Sequence, residues 1–290
     1  MALVNGFSLV NDVTDASVTQ TVSRPAGSSE RYSRSSSSEI LSFRPIDMIN
    51  IGTWNVRTML KAGKLENVKE EMRRMKLNIM GLCETRWKGP PLYITRVIYS
   101  GGQESQRGVA ILLDEKSAKC VKSVNYISDR ILGVRINAKP TDLFIIQVYM
   151  PTSNHSNEEV AEMYEKIESI ISGEKGKIVT IVMGDWNAVV GEGRDGQEVG
   201  NYGLGHRNDR GEDLVEFCKQ QRMCITNTWF KHHKRQRYTW KQPGDGNRYQ
   251  IDYIMIKQRY RNSIKDARSY SGPEADTDHR AQYGDDKNAS

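Results

Sequence analysis

The chain has only four cysteines, Cys83, Cys120, Cys218 and Cys224, with no CxxC pair and no histidine at zinc-finger spacing. That argues against a disulfide framework or a structural zinc site, and the four read as reduced, mostly buried thiols. Long apolar runs are also missing. The longest, such as 178–183 interrupted by Thr180, have strand length and fall far short of the roughly 18 residues of a spanning helix, so no membrane partner is expected. The N-terminus, MALVNGFSLVND, lacks the basic start and continuous apolar stretch of a secretory signal, which leaves the nucleus or the cytoplasm as the expected compartment. No internal repeat is visible.

What is present is enough apolar material for a sizeable core, at 37%, in a chain with 27% charge and a mean hydropathy of -0.64. One large domain with a tail, monomeric and soluble, is the expectation for 290 residues of this composition. The formal net charge of +6 and a pI near 9.0 favour an anionic partner. Nucleic acid is the commonest for a basic domain, although composition leaves acidic lipids open. Residues 1–46 are rich in Ser, Thr and Arg, with SSSSEI following RYSRS, and read as a disordered tail with too little apolar surface to offset ordering. The folded domain is expected over 47–279, with a polar tail over 280–290.

Inside that domain, strand-like runs recur at 48–54, 79–83, 109–113, 131–136, 144–149, 178–183 and 251–256. Helical spacing appears at Leu65, Val68, Met72 and Met75, at Val160, Met163, Ile167, Ile170 and Ile171, and at Leu214, Phe217 and Cys218. Ser156 and Glu159 supply a capping box for the second helix. Strands arriving both in runs and between helices predict an α/β domain of two sheets packed face to face with helices outside.

Polar residues fall at the ends of these strands: Asn55, Glu84, Asp185 and Asn187, with Asp252 and a Thr277-Asp278-His279 triplet further on. Strand ends are where α/β scaffolds carry function. Carboxylates and side-chain amides are hard oxygen ligands that suit Mg²⁺ or Mn²⁺ rather than zinc. Taken singly, each position has a plain alternative. Asn55 fits a turn, Glu84 a partner for Arg86, Asp185 and Asn187 a tight turn after Gly184, Tyr149 a sheet-edge hydroxyl, and Asp252 a structural ion pair. His155, His206, His232 and His233 read as solvated loop histidines.

Six short motifs occur in order: TWNVR at 53–57, LCETRW at 82–87, VYMPTS at 148–153, MGDWNA at 183–188, QIDY at 250–253 and TDH at 277–279. Together they resemble the endonuclease/exonuclease/phosphatase superfamily over 48–279. Within it they are most like the endonuclease domain of RTE-type non-LTR retrotransposons and the craniofacial development protein 2-like proteins. The resemblance implies a four-layer α/β sandwich of two mixed sheets and Mg²⁺-dependent hydrolysis of a phosphodiester by an in-line water, with nicking of one DNA strand as the leading expectation. It also implies roles: Glu84, Asn55 and Asp278 as metal ligands, Asp185 as the residue that orients or deprotonates the water, and Asn187 holding phosphate or water. Tyr149 would be the active-site tyrosine, and His279, oriented by Asp252, would stabilise charge on the phosphorane.

Two departures qualify it. In the family an apolar strand follows the Asp-His pair, whereas 280–287 here is polar, so a strand is expected to be missing, a sheet edge open and Asp278-His279 weakly anchored. Thr152 stands where an asparagine commonly follows Tyr-x-Pro, with Asn154 two residues on, which concerns substrate fit. No reverse-transcriptase motif follows, so an isolated nuclease domain is expected. A catalytically inactive nucleic-acid-binding or chromatin-associated derivative, and a phosphatase or sphingomyelinase, are the competing readings.

The basic stretch around Lys231, Lys234, Arg235, Arg237 and Trp240 interleaves cations with aromatics and is expected to contact DNA. Trp54, Trp229 and Trp240 have a core reading as well. The glycine-rich segment 191–208 is expected to be a long mobile loop beside Asp185.

Overall fold

A strand buried on both faces needs two packing partners, and the central strand β10 (Asp142–Tyr149) has them. Its Leu143, Ile145 and Tyr149 join one apolar cluster and its Phe144, Ile146 and Val148 another. Such a strand reads as a continuous apolar run instead of an alternating one. The computed structural model describes residues 2–8, 31–33, 42–44, 47–102, 106–174, 176–242, 244 and 246–270.

One seven-stranded sheet runs in the order β16 (Ile264–Ser269), β1 (Ala2–Ser8), β3 (Met48–Asn55), β4 (Ile79–Cys83), β7 (Val109–Leu113), β6 (Val97–Ser100), β5 (Leu92–Ile94). The other runs β12 (Met223–Ile225), β15 (Asp252–Lys257), β11 (Ile178–Asp185), β10, β9 (Ile131–Ile136), β8 (Val121–Ser128), β2 (Arg31–Ser33). Each is mixed, with one parallel pair: β3 with β4, and β10 with β11. A parallel pair needs a crossover, and each crossover here is a helix. These are α1 (Lys64–Arg74) between β3 and β4, and α3 (Asn157–Gly173) between β10 and β11.

Val68 and Met72 of α1 pack on Trp54, Met80 and Leu82, on the outer face of the first sheet. Val160, Met163 and Ile167 of α3, with Leu214, Val215 and Phe217 of α4 (Asp209–Gln221), cover the outer face of the second. Between the sheets, Ile51, Ile79 and Ile111 meet Val134, Ile145 and Ile181. The result is the expected four layers. The short α2 (Glu115–Lys119) starts on an Asp114 side chain that accepts from Ser117 N. Ser156 and Glu159 form their capping box as read from the sequence.

One buried polar position ties the sheets together. Gln147 of β10 donates to Thr53 Oγ1 at 3.0 Å and to Cys83 Sγ at 3.0 Å. Gly81 makes room for it, since a Cβ there would overlap the Gln147 amide. All four cysteines are buried and free, as expected. No helix among the described residues is long and apolar enough to cross a membrane.

Two expectations need correction. Ala2–Ser8 and Arg31–Ser33, inside the stretch read as a tail, are strands, and β1 pairs antiparallel with both β16 and β3. Leu3, Val4 and Phe7 were hidden by averaging composition over a Ser-rich stretch. As a consequence β3 has a partner on each side; the segment 280–287, on which the expectation of a missing strand and an open edge rests, lies outside the described residues. The segment 191–208 is a bonded loop instead of a mobile one. Arg207 donates to the Val190 carbonyl and to Asp195, Asp195 and Val199 bridge, and Val199 and Gly200 are buried.

Candidate active site

Strands from both sheets end at one place. Asn55 closes β3, Glu84 follows β4, Tyr149 closes β10, Asp185 closes β11 and Asp252 opens β15. Pairing register does the alignment: Tyr149 lies opposite Asp185, and Asp185 opposite Asp252. The turn after β4 puts Glu84 at φ 55°, and the turn after β11 puts Asn187 at φ 48°. Left-handed backbone at non-glycine residues is costly and clusters at functional sites.

Asn55 bridges the two sheets. Its Nδ2 donates to Glu84 Oε1 at 2.7 Å and to Asp185 Oδ2 at 2.8 Å, while its Oδ1 accepts from Arg57 N at 2.9 Å. The plain turn reading of Asn55 therefore gives way to a residue that holds two carboxylates together. Tyr149 donates its hydroxyl to Glu84 Oε1 at 3.1 Å. Asn187 donates from its backbone to Asp185 Oδ1 at 3.0 Å and from its side chain to the Met150 carbonyl at 2.9 Å. That side-chain bond holds the turn, so the Asx-turn reading and the site reading of Asn187 coexist.

The charges are not balanced locally. Asp185 is buried, and its carboxyl is pushed well above the ordinary range, first by burial and next by the charge of Asp252. Burial also raises Asp252, whose Oδ1 has no hydrogen-bond partner among the described residues. The Tyr149 hydroxyl is pushed up too, by burial and then by Glu84. Buried carboxylates that share a site cannot all ionise without a cation.

Arg130, which sequence reasoning missed, stacks its guanidinium 4.9 Å from the Tyr149 ring centre and donates to the Tyr149 carbonyl at 3.2 Å. It also contacts His155 Nε2 at 3.1 Å, and His155 Nδ1 meets Thr152 Oγ1 at 2.9 Å. His155 is thus a bonded, partly buried residue, correcting its reading as a solvated histidine. His232 needs the same correction, since its Nε2 lies 2.6 Å from Asp266. No spacing rule finds Arg130, because it reaches Tyr149 from the turn between β8 and β9, distant in sequence.

These groups open into a cavity of about 880 Å³. Its floor is Asn55, Glu84, Asp185, Asn187 and Asp252, and its walls include Arg57, Lys64, Trp240, Lys241 and Tyr249. Trp240 and Tyr249 come from the hairpin of β13 (Trp240–Lys241) and β14 (Arg248–Tyr249), their rings 5.7 Å apart. Of the basic stretch expected to contact DNA, Trp240 lines this cavity, whereas Lys231, Lys234 and Arg235 are exposed outside its lining. Arg237 turns inward instead, bonding the His232 and Gly203 carbonyls and Glu192, which removes it from that set. Trp54 serves both readings, lining the cavity and packing under α1. Trp229 lies between Arg261 and Arg194, at 4.3 and 5.5 Å. Asp278 and His279, and with them the proposed orientation of His279 by Asp252, lie outside the described residues.

Residues 52–279 match the Endonuclease/Exonuclease/phosphatase family. The chain belongs to that family. Craniofacial development protein 2 of Bos taurus is 39% identical over 234 residues, 79% of this chain. The chain spans only 39% of that relative's length. Among solved structures, the AP endonuclease LMAP from Leishmania major superposes with a TM-score of 0.52, at 12% identity, over 72% of this chain and 79% of that one. The 3′ phosphatase NExo from Neisseria, solved with its product DNA hairpin, does so at 0.50, with 15% identity over 71% and 86%. At such identities the superpositions establish the shared fold.

Members of the endonuclease/exonuclease/phosphatase family are generally hydrolytic and typically depend on a divalent metal. Among the described residues no three carboxylate, histidine or cysteine side chains converge closely enough to make a metal site by themselves. The donors nevertheless fit a hard cation: Glu84 and Asp185 joined through Asn55, with the unpartnered Oδ1 of Asp252 behind them.

Proposed function

We propose that this chain is a Mg²⁺- or Mn²⁺-dependent DNA endonuclease that nicks one strand by water attack on a phosphodiester. The observation that carries the reading is the Asn55 bridge between Glu84 and Asp185 at the floor of a cavity walled by cations and aromatics. Glu84 and Asn55 would hold the cation, together with Asp278. When bound, that cation supplies positive charge for the phosphoryl oxygens and an acidified water.

The remaining work falls to the chain. Asp185 would take a proton from the attacking water once its carboxyl is ionised, and the backbone N–H of Asn187 keeps that carboxyl oriented. Tyr149 fixes Glu84 from below, and Arg130 holds the Tyr149 ring in place. Arg57, Lys64 and Lys241 bring positive charge to the cavity wall, where a polyanion's phosphates would run. The neisserial phosphatase, solved with product DNA, supports a nucleic-acid substrate for this fold.

Incubating supercoiled plasmid with the protein in Mg²⁺ should give nicked circles, with no product in EDTA or from Glu84→Gln. DNA binding with steep salt dependence but no cleavage would replace the enzyme reading with the binding-protein one. Faster hydrolysis of small phosphoesters or sphingomyelin than of DNA would replace the substrate class.

Tyr149→Phe keeps the ring under Arg130 and removes one donor from Glu84. A hydrogen bond to a charged group is worth about 1.5–3 kcal/mol, so nicking should slow about tenfold or more and the melting midpoint should fall by several degrees. Steady-state nicking rates and a thermal scan check this.

A further inference from the structure

Only four large hydrophobic residues are exposed among the described residues, and three of them face one cavity. They are Leu60, Leu92 and Ile94, at 61%, 39% and 57% exposure, around a volume of about 610 Å³. Single exposed hydrophobics are ordinary, whereas a converging set marks a binding surface. Leu60 comes from the segment between β3 and α1, and Leu92 and Ile94 from the edge strand β5. Between them stand two aromatics, Trp87 and Tyr99, edge to face with ring centres 5.2 Å apart.

The charges on this cavity have one sign. Lys69, Arg86, Lys88 and Arg96 line it and no carboxylate does. Lys69 is paired with Glu66 outside the cavity, at 2.7 Å. The occupant that fits is therefore apolar-bodied and anionic.

Its position decides which anion. The same two chain segments wall both cavities: Arg57 and Lys64 face the catalytic one while Leu60 and Leu65 face this one, and Glu84 faces the first while Arg86 and Trp87 face the second. Arg86 Nη2 lies 3.5 Å from Glu84 Oε2, so an ion pair links the lining of one space to that of the other. A strand whose phosphate sits over Glu84 has its neighbouring nucleotides within reach of this wall.

We infer that this apolar cavity binds an unpaired nucleobase of the substrate strand next to the phosphate to be cut, with its flanking phosphates on the cationic rim. The inference rests on the DNA-hydrolase reading. A base inside a duplex is stacked and cannot enter, so the site confers a preference for a bulge, flap or loop beside the cut. Base–aromatic contact and burial on Leu92 and Ile94 supply the attraction, and Arg86, Lys88 and Arg96 the electrostatic part.

The test uses the full chain and fluorescence anisotropy in EDTA, comparing a fully paired duplex with the same duplex carrying a three-nucleotide bulge. The wild type should bind the bulged duplex about tenfold more tightly, the scale of one stacked base. Leu92→Thr/Ile94→Thr, at exposed strand positions that keep β-propensity, should erase that preference while leaving duplex affinity and plasmid nicking unchanged. Leu60→Ser, on the opposite wall, should reduce it independently. Equal affinity of the wild type for both duplexes, with plasmid nicking intact, would overturn the inference and leave the nuclease reading standing. Absence of DNA binding altogether would overturn both. Saturable binding of an acidic, leucine-rich helical peptide, lost in Leu92→Thr/Ile94→Thr while the bulge preference persists, would assign the cavity to a protein partner instead.

Discussion

Asp185→Asn is expected to lower Mg²⁺-dependent nicking by about a thousandfold, within the range for loss of a general base, and to flatten the pH dependence of stability in metal-free protein. Both effects come from one buried carboxyl. Burial and then Asp252 raise its affinity for a proton in the folded state. From the ordinary carboxylate value of about 4 upward to that raised value, the native protein holds a proton that the unfolded chain has released. Each step up in pH across that window therefore favours unfolding. The stability contributed by this proton is complete below the unfolded value and is lost as pH rises through the folded one, at a slope of about 1.4 kcal/mol per pH unit. Asparagine carries no such proton, so the variant's curve should be flatter by about one proton, with the contribution of Asp252 remaining. Urea unfolding in EDTA between pH 4 and 8.5, with nicking assays in parallel, measures both quantities. Added Mg²⁺ should stabilise the wild type most at the upper end, where the ionised carboxylate is available to it. Nicking by Asp185→Asn within tenfold of the wild type would remove Asp185 from the role of handling the water.

Trp186→Ala is expected to destabilise the fold by about 3–5 kcal/mol, a large share of the 5–15 kcal/mol available to a typical domain. The tryptophan between the two site residues is 2% exposed. Its ring stacks on Tyr164 at 6.2 Å and lies 6.2 Å from Phe217, so it locks the turn after β11 onto α3 and α4. Its backbone N–H donates to the Ile251 carbonyl beside Asp252, which couples the same residue to the neighbouring strand. Truncation should therefore loosen Asp185 and Asn187 along with the core, and nicking should fall more steeply than the folded fraction alone predicts. Trp186→Phe, which keeps most of the volume and the aromatic contacts, should cost less than about 1.5 kcal/mol and retain activity. The shift in urea midpoint between the two variants checks the packing claim. A wild-type midpoint for Trp186→Ala would place the ring outside the load it is assigned here.

Several features are legible in the sequence alone. The apolar runs at 79–83, 109–113 and 131–136 are strands at those same positions, because burial on both faces leaves a contiguous signature. Helices α1 and α3 follow their 3.6-residue spacing, and the Ser156–Glu159 box is in place. The short strands β5, β6 and β12 left no such trace, since three or four residues carry little periodicity. β1 was lost for another reason: its pairing is with β3 and β16, distant in sequence, inside a stretch whose average composition is polar.

The site divides along the same line. Residue types at strand ends singled out Asn55, Glu84, Asp185 and Asp252, because a hard cation calls for oxygen ligands whatever the packing, and the motif resemblance added Tyr149. Their joint action was decided only by tertiary structure. Sheet register sets Asp185 against Asp252, and the stacking of two sheets lets one Asn55 amide reach carboxylates from both. The buried excess of negative charge, the Arg130 support under Tyr149 and the apolar cavity beside Glu84 are likewise products of contact between distant segments. Desolvation and Coulomb energies depend on distance in space, and distance along the chain does not carry that information.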